Sequence, residues 1–241
     1  PACGSGSFLI KSLEVIEAHY RKLGLLVDET TKLLIITQNL YGVDLDEKAV
    51  EIARLNLLIN SLDRKIKLPR LDANIKRGNS LISGTDEELK KRFGKNYRDK
   101  KPFNWEEKFP SVFKQGGFDV VIGNPPYVSS RELDSQDKGH FEVNYSSAKD
   151  QYDLYSLFIE RGLKLLKVDG DLGFIVPNKF LVTRYGVELR KFIFENASLS
   201  AFRDYSHDNV FPDASVYPVV VILKKEKKRE VIPTGDYDLL K

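Results

Sequence analysis

Cysteine is almost absent from this chain of 241 residues, and the lone Cys3 cannot close an internal disulfide. Only three histidines occur, His19, His140 and His207, and their scatter gives no zinc spacing, so a metal-free catalyst is expected. No apolar run approaches the roughly 20 residues that cross a bilayer, which points to a cytoplasmic protein with no membrane contact. Neither sign of charge dominates, since 38 basic against 35 acidic residues leave +3 and an isoelectric point near 8.8. A nucleic-acid surface would therefore have to come from local patches. Methionine is missing altogether, and the chain opens at Pro1 inside a motif; both ends are expected to be truncations of a longer protein. With 41% hydrophobic and 30% charged residues, the composition is that of one α/β domain with a sizeable core.

The most informative stretch is residues 118–127, Phe118-Asp119-Val120-Val121-Ile122-Gly123-Asn124-Pro125-Pro126-Tyr127. Its Val and Ile run suits a buried strand. Two successive prolines remove two backbone donors and force Asn124 and Pro125 out of helix, so the strand stops there. In an open α/β sheet, ligands bind beyond the carboxyl ends of strands, which puts residues 124–127 at the mouth of a pocket. The Asn124 side-chain oxygen and the Pro125 carbonyl can each accept one N–H of an exocyclic NH2 group, localising the nitrogen lone pair for attack, while Tyr127 stacks on the attached ring.

Asn124-Pro125-Pro126-Tyr127 after such a strand resembles the catalytic motif of adenine-N6 DNA methyltransferases. The opening Pro1-Ala2-Cys3-Gly4-Ser5-Gly6-Ser7-Phe8-Leu9 resembles the S-adenosylmethionine loop of their gamma class, the TaqI-like group of type II and IIG restriction-modification systems. The resemblance continues through Gly116-Gly117-Phe118-Asp119 and through Asp153-Leu154-Tyr155-Ser156-Leu157-Phe158-Ile159-Glu160-Arg161-Gly162. It implies a Rossmann-like methyltransferase fold, α/β, with a mixed sheet and a late antiparallel strand, whose first strand is missing from this fragment. It assigns Pro1, Ala2, Cys3, Gly4 and Gly6 to the methionine end of the cofactor and Asp44 to its ribose hydroxyls. Asn79 falls where these enzymes usually place Asp against the cofactor adenine. Phe211, within Val210-Phe211-Pro212, matches an aromatic position that would form a second wall for the target base opposite Tyr127; the other reading of Phe211 is a core residue of a hairpin.

Along the chain, Gly4-Ser5-Gly6 supplies a tight turn with Ser7 as the cap of the following helix, in which Leu9, Leu13 and Ile16 recur at helical spacing. A second helical stretch covers 32–38. The strand of Leu40 to Asp46 ends in acids, with Asp44 placed to take two hydroxyls and Asp46 to cap a helix over 47–60. Residues 75–81 end a further strand at Asn79, which is read equally as a turn residue. The charged segment 84–115, punctuated by Trp105, Phe109 and Phe113, reads as a surface insertion clamped by aromatics. Residues 128–151 lack periodicity and read as a loop after the catalytic turn, either a lid over the base or a solvated connection. A helix over 153–167 is stopped by Gly170, a buried strand covers 172–177, and a helix over 185–195 leads to a hairpin of 199–205 with 219–223.

These readings converge on transfer of a methyl group from S-adenosylmethionine to the N6 amine of a flipped adenine in double-stranded DNA. A recognition domain is expected elsewhere in the parent chain, with or without a nuclease domain. Two rivals share the turn: a methyltransferase for protein glutamine or ribosomal RNA, and a non-catalytic scaffold that only holds a flipped base.

Overall fold

The computed structural model describes residues 1–61, 69–205 and 217–227. The amino-terminal third alternates helix and strand: α1 (Ser7–Lys22), α2 (Glu29–Gln38), β1 (Gly42–Asp44), α3 (Glu47–Ser61) and β2 (Ile75–Arg77). β1 and β2 are parallel with Asp44 opposite Arg77, as short strands joined through a helix must be. Leu9 and Leu13 of α1, Ile35 and Ile36 of α2, and Val50, Ala53 and Leu57 of α3 close a buried aliphatic cluster over this pair. The expected caps divide. Asp46 caps α3 by accepting from the Lys48 amide at 2.8 Å. Ser7 is instead the first residue of α1, and the residue before it is Gly6 at φ 90°, with no side-chain cap.

The remainder contains α4 (Asp86–Phe93), α5 (Trp105–Lys108), α6 (Pro110–Phe113), β3 (Phe118–Gly123), α7 (Ser135–Asn144), α8 (Leu154–Leu165), β4 (Leu166–Pro177), α9 (Lys179–Val182), α10 (Val187–Asn196), β5 (Ala197–Asp204) and β6 (Pro218–Lys225). The sheet order is β3-β4-β6-β5. β3 and β4 run parallel, while β6 is antiparallel to both β4 and β5, so the last strand in sequence enters inside the sheet. This is the mixed sheet with a late antiparallel strand that the sequence led us to expect. α8 ends at Leu165 rather than at Gly170. Gly170 lies in a bulge between the Leu166 and Asp171 pairings with β3, beside Asp169 at φ 66°.

The opening residues lie between the two sheets. The Cys3 amide donates to the Val43 carbonyl of β1 at 3.1 Å, and Pro1 and Ala2 line one crevice with Gly123 and Asn124 at the end of β3. Among the described residues β3 pairs with β4 alone, and its Val120 is 56% exposed.

Two segments differ from expectation. Residues 84–115 are not laid on the surface: Leu89, Phe93, Tyr97, Phe103, Trp105 and Phe109 are buried in the main core. Their apolar spacing follows no single period because it is divided among three short helices and the turn Tyr97–Lys100. Residues 128–151 hold a helix, α7, with His140 and Phe141 buried. Asp134 starts that helix by accepting from the Asp137 amide at 2.8 Å, a signal present in the sequence but masked by the polar face around it.

Candidate active site

The double proline acts as its chemistry dictates. β3 ends at Gly123, and residues 124–127 leave the sheet without helix or strand. Asn124 is exposed, Pro125 buried, Pro126 exposed and Tyr127 half-buried. The Tyr127 ring stands edge-on to the wholly buried Tyr155, with centroids 6.2 Å apart and planes at 88°. Its hydroxyl donates to the Asn124 side-chain oxygen at 2.6 Å and lies 3.2 Å from the Ile175 carbonyl. Burial pushes the Tyr127 hydroxyl up to about 12, so it stays a donor at neutral pH. The sequence suggested an exposed ring and a free amide oxygen. The structure gives a ring anchored on Tyr155 and an oxygen that already accepts one hydrogen bond and keeps its second lone pair.

Facing this turn is the opening loop. Pro1, Ala2, Gly123, Asn124 and Pro125 line one crevice, backed by Phe158 and Phe174. Cys3 is part of the packing: its thiol lies against Gly42, and burial pushes it up to about 11, which removes it as a nucleophile. Gly4 has φ 54° and Gly6 φ 90°, a conformation that side chains oppose, and a Cβ on Gly6 would stand 3.1 Å from Ala53. The loop thus closes directly onto α3, and the first amides of α1 are left without a side-chain cap.

Asp44 ends β1 and accepts from the Gly4 amide at 2.8 Å and the Asp46 amide at 3.0 Å, one on each carboxylate oxygen. Each oxygen retains acceptor capacity, so the two amides orient the carboxylate and leave it able to take a vicinal diol. Asn79 follows β2. Its side-chain oxygen accepts from the Leu81 amide at 3.1 Å, and its own amide donates to the Lys101 carbonyl at 2.7 Å. The turn-forming reading of Asn79 therefore holds, with its NH2 group left to donate. Phe211 lies outside the described residues.

The structure assembles residues that sequence reasoning passed over. The Ser80 hydroxyl donates to the Pro1 carbonyl at 2.6 Å, and the buried Trp105 indole donates to the Ser80 carbonyl at 3.2 Å. Pro102 bridges Asn79 in parallel register, placing 101–103 beside it. The carboxylate of Glu160, fully buried on α8, accepts from the Ser146 and Ser147 amides at 3.0 and 2.8 Å. Arg161 donates to the Tyr145 hydroxyl at 2.9 Å and to the Ser83 hydroxyl at 3.1 Å, and Tyr145 donates to the Leu81 carbonyl at 2.8 Å. The Glu160-Arg161 pair was visible in the motif 153–162, but only as part of a helix.

The family model described as the Eco57I restriction-modification methylase matches residues 38–211. The chain is 32% identical over 253 residues to the type II restriction enzyme and methyltransferase RM.Eco57I of Escherichia coli, covering 93% of this chain and 24% of that protein. It is 34% identical to the type II methyltransferase M.PaeR7I of Pseudomonas aeruginosa over 46% of this chain and 20% of that one. The chain thus spans about a quarter or less of these curated relatives. Among solved structures, a nuclease-deletion mutant of the Type ISP restriction-modification enzyme LlaGI, in complex with a DNA substrate mimic, matches 95% of this chain and 20% of its own with a TM-score of 0.64 and 16% identity. The M protein of the Type I restriction enzyme EcoKI matches 94% of this chain and 39% of its own with a TM-score of 0.59 and 18% identity. These likenesses show the methyltransferase fold.

Proposed function

The chain belongs to the Eco57I restriction-modification methylase family, and from that premise we propose that it is the catalytic domain of a site-specific DNA methyltransferase acting on the N6 amine of an adenine turned out of the duplex. The observation that carries this reading is the meeting of Pro1 and Ala2 with Asn124 and Pro125 in one crevice, a cofactor loop against an amine-accepting turn.

S-adenosylmethionine, when bound, supplies an electrophilic methyl group. The residues fit such a group: Asp44 presents an oriented carboxylate for a ribose diol, and the glycine turn of 4–6 leaves room and uncapped amides beside it. Asn124 accepts one N–H of the target amine on its remaining lone pair, and the Pro125 carbonyl accepts the other, which turns the nitrogen lone pair toward the methyl group. Tyr127 contributes twice. Its hydroxyl fixes which way the Asn124 amide faces, and its ring, braced by Tyr155, offers a stacking wall for the base. On transfer the nitrogen would take the methyl group as the sulfur–methyl bond breaks, S-adenosylhomocysteine would leave, and the nitrogen would shed one proton to solvent. RM.Eco57I is by name both a restriction enzyme and a methyltransferase, and the chain covers 24% of it. Sequence recognition and cleavage accordingly belong, in this proposal, to other parts of the parent protein.

The test uses the full-length protein with methyl-labelled S-adenosylmethionine and duplex DNA, followed by digestion to nucleosides and mass spectrometry. Label in N6-methyladenine is the expected result. Label confined to protease-sensitive or RNA product would overturn the proposal in favour of the glutamine or ribosomal RNA reading.

A further inference from the structure

We infer that residues 179–184 form a second contact surface for duplex DNA beside the catalytic turn, with Val182 as its apolar contact and Lys179 and Arg184 as its phosphate contacts; the inference rests on the DNA reading above. Position is the first reason. β4 runs parallel to β3, with Gly123 opposite Phe174, so the chain leaves both strands at the same edge of the sheet. α9 begins two residues after Pro177 ends β4. The two exits are joined by rings: Tyr127 packs edge-on to Tyr155, and Tyr155 packs on the buried Phe180 of α9 at 6.3 Å.

Rigidity is the second. Arg190 of α10 donates from one guanidinium nitrogen to the Phe180 carbonyl at 2.6 Å and to the Thr183 carbonyl at 3.0 Å. Gly186 comes so close that a Cβ there would lie 2.2 Å from the Phe180 carbonyl oxygen. A turn held from below in this way cannot fold its outer side chains back into the core. Val182 is nevertheless 84% exposed and Leu181 38%.

The third reason is the chemistry of the rim. Lys179 and Arg184 are exposed on either side of Val182, and no acidic residue lies between them. Of the nearby acids, Glu188 is paired with Lys149 at 3.2 Å, and Asp153, which feels the Lys179 charge, is half-buried. An aliphatic side chain flanked by two cations fits a nucleic acid: phosphates meet the cations, and the aliphatic group packs where a base step is opened by extrusion.

The experiment compares the full-length wild type with Lys179→Ala/Arg184→Ala and with Val182→Ala. It measures DNA affinity across salt concentrations and the fluorescence of 2-aminopurine at the target position, with melting temperature and S-adenosylmethionine affinity as controls. The double variant should lower the slope of log affinity against log salt by about 1.8, since each phosphate contact contributes about 0.9. Val182→Ala should cut the 2-aminopurine signal several-fold and leave that slope alone. Unchanged slope and unchanged extrusion in folded, cofactor-binding variants would overturn the inference while the DNA reading stands. Loss of association with another protein of the system, with the salt slope intact, would overturn it too, in favour of a protein contact. A wild type that binds no DNA would sink both readings.

Discussion

The cluster closed by α1, α2 and α3 over β1 and β2 is aliphatic in every buried member, whereas the core around the larger sheet is crowded with rings: Phe103, Trp105, Phe109, Tyr145, Tyr155, Phe174 and Phe180 among them. The first region is made from neighbours in sequence: α3 packs on both strands, and α1 and α2 pack on α3 and on each other. The second draws together 84–115, 128–151 and α8, and it does so with buried polar clamps as well as rings. Aliphatic side chains at helical period need no partner beyond a greasy face. Tyr, Trp and a buried carboxylate must each find a specific acceptor or donor, so they fix geometry where a reaction requires it. The first region thus rests on interchangeable packing and the second on particular contacts.

That contrast is broken most severely at Glu160. Glu160→Ala leaves the buried Ser147 amide and hydroxyl, the Ser146 amide and the Lys164 ammonium without their partner, and we expect a stability loss of about 3–5 kcal/mol, read as a lower denaturant midpoint. Glu160→Gln, which keeps the volume and one acceptor, should lose clearly less; equal losses would mean that the negative charge, and not the remaining acceptor, holds the clamp. Next in size is Asn124→Ala, which should lower kcat by about 10²–10³ with S-adenosylmethionine affinity unchanged. Near-normal turnover by that folded variant would remove Asn124 from the chemistry.

On the cofactor side, Asp44→Ala should weaken S-adenosylmethionine binding by about 1.5–3 kcal/mol, the range for hydrogen bonds to a charged group, measured by calorimetry. Turnover at saturating cofactor should suffer less. A variant with unaltered affinity would show that Asp44 serves only to hold Gly4 and Asp46. The smallest effect concerns pH. His140, buried against Phe93, is pushed down to about 4 by burial, with Arg92 and Arg161 adding repulsion and Glu88 opposing them. The folded state therefore refuses a proton that the unfolded chain accepts, and stability present above pH 6.5 is lost as pH falls toward 4. Between pH 6.5 and 5.5 the loss should be about 1 kcal/mol. His140→Phe should flatten that stretch of the stability–pH curve, and an unchanged slope would place the proton elsewhere.

Much of the site was legible in residues alone because its parts are backbone devices. Gly4 and Gly6 were readable as a turn, Asp46 as a cap, and Asn124 to Tyr127 as an abrupt strand exit, since each follows from dihedral limits on neighbouring residues. The occupancy of Asp44 by the Gly4 amide was not readable, for it joins residues from either side of two helices. The hydroxyl of Tyr127 on Asn124 lies within one turn, yet it depends on the ring being braced by Tyr155 from α8. Residues 84–115 and 128–151 misled for a related reason: short helices divide their apolar residues among several faces, and no single period survives to be counted.

By itself the sequence determined the local grammar: where β3 must end, where the loop before α1 must turn, and which helices carry one apolar face. Only the tertiary structure decided that β6 enters between β4 and β5, that Trp105 and Tyr145 reach the carbonyls of 80 and 81, and that Pro1 meets Asn124. The physical reason is range. Torsional and capping preferences act between residues one to four apart, whereas these contacts exist only after loops of many residues have closed and water has been excluded around them.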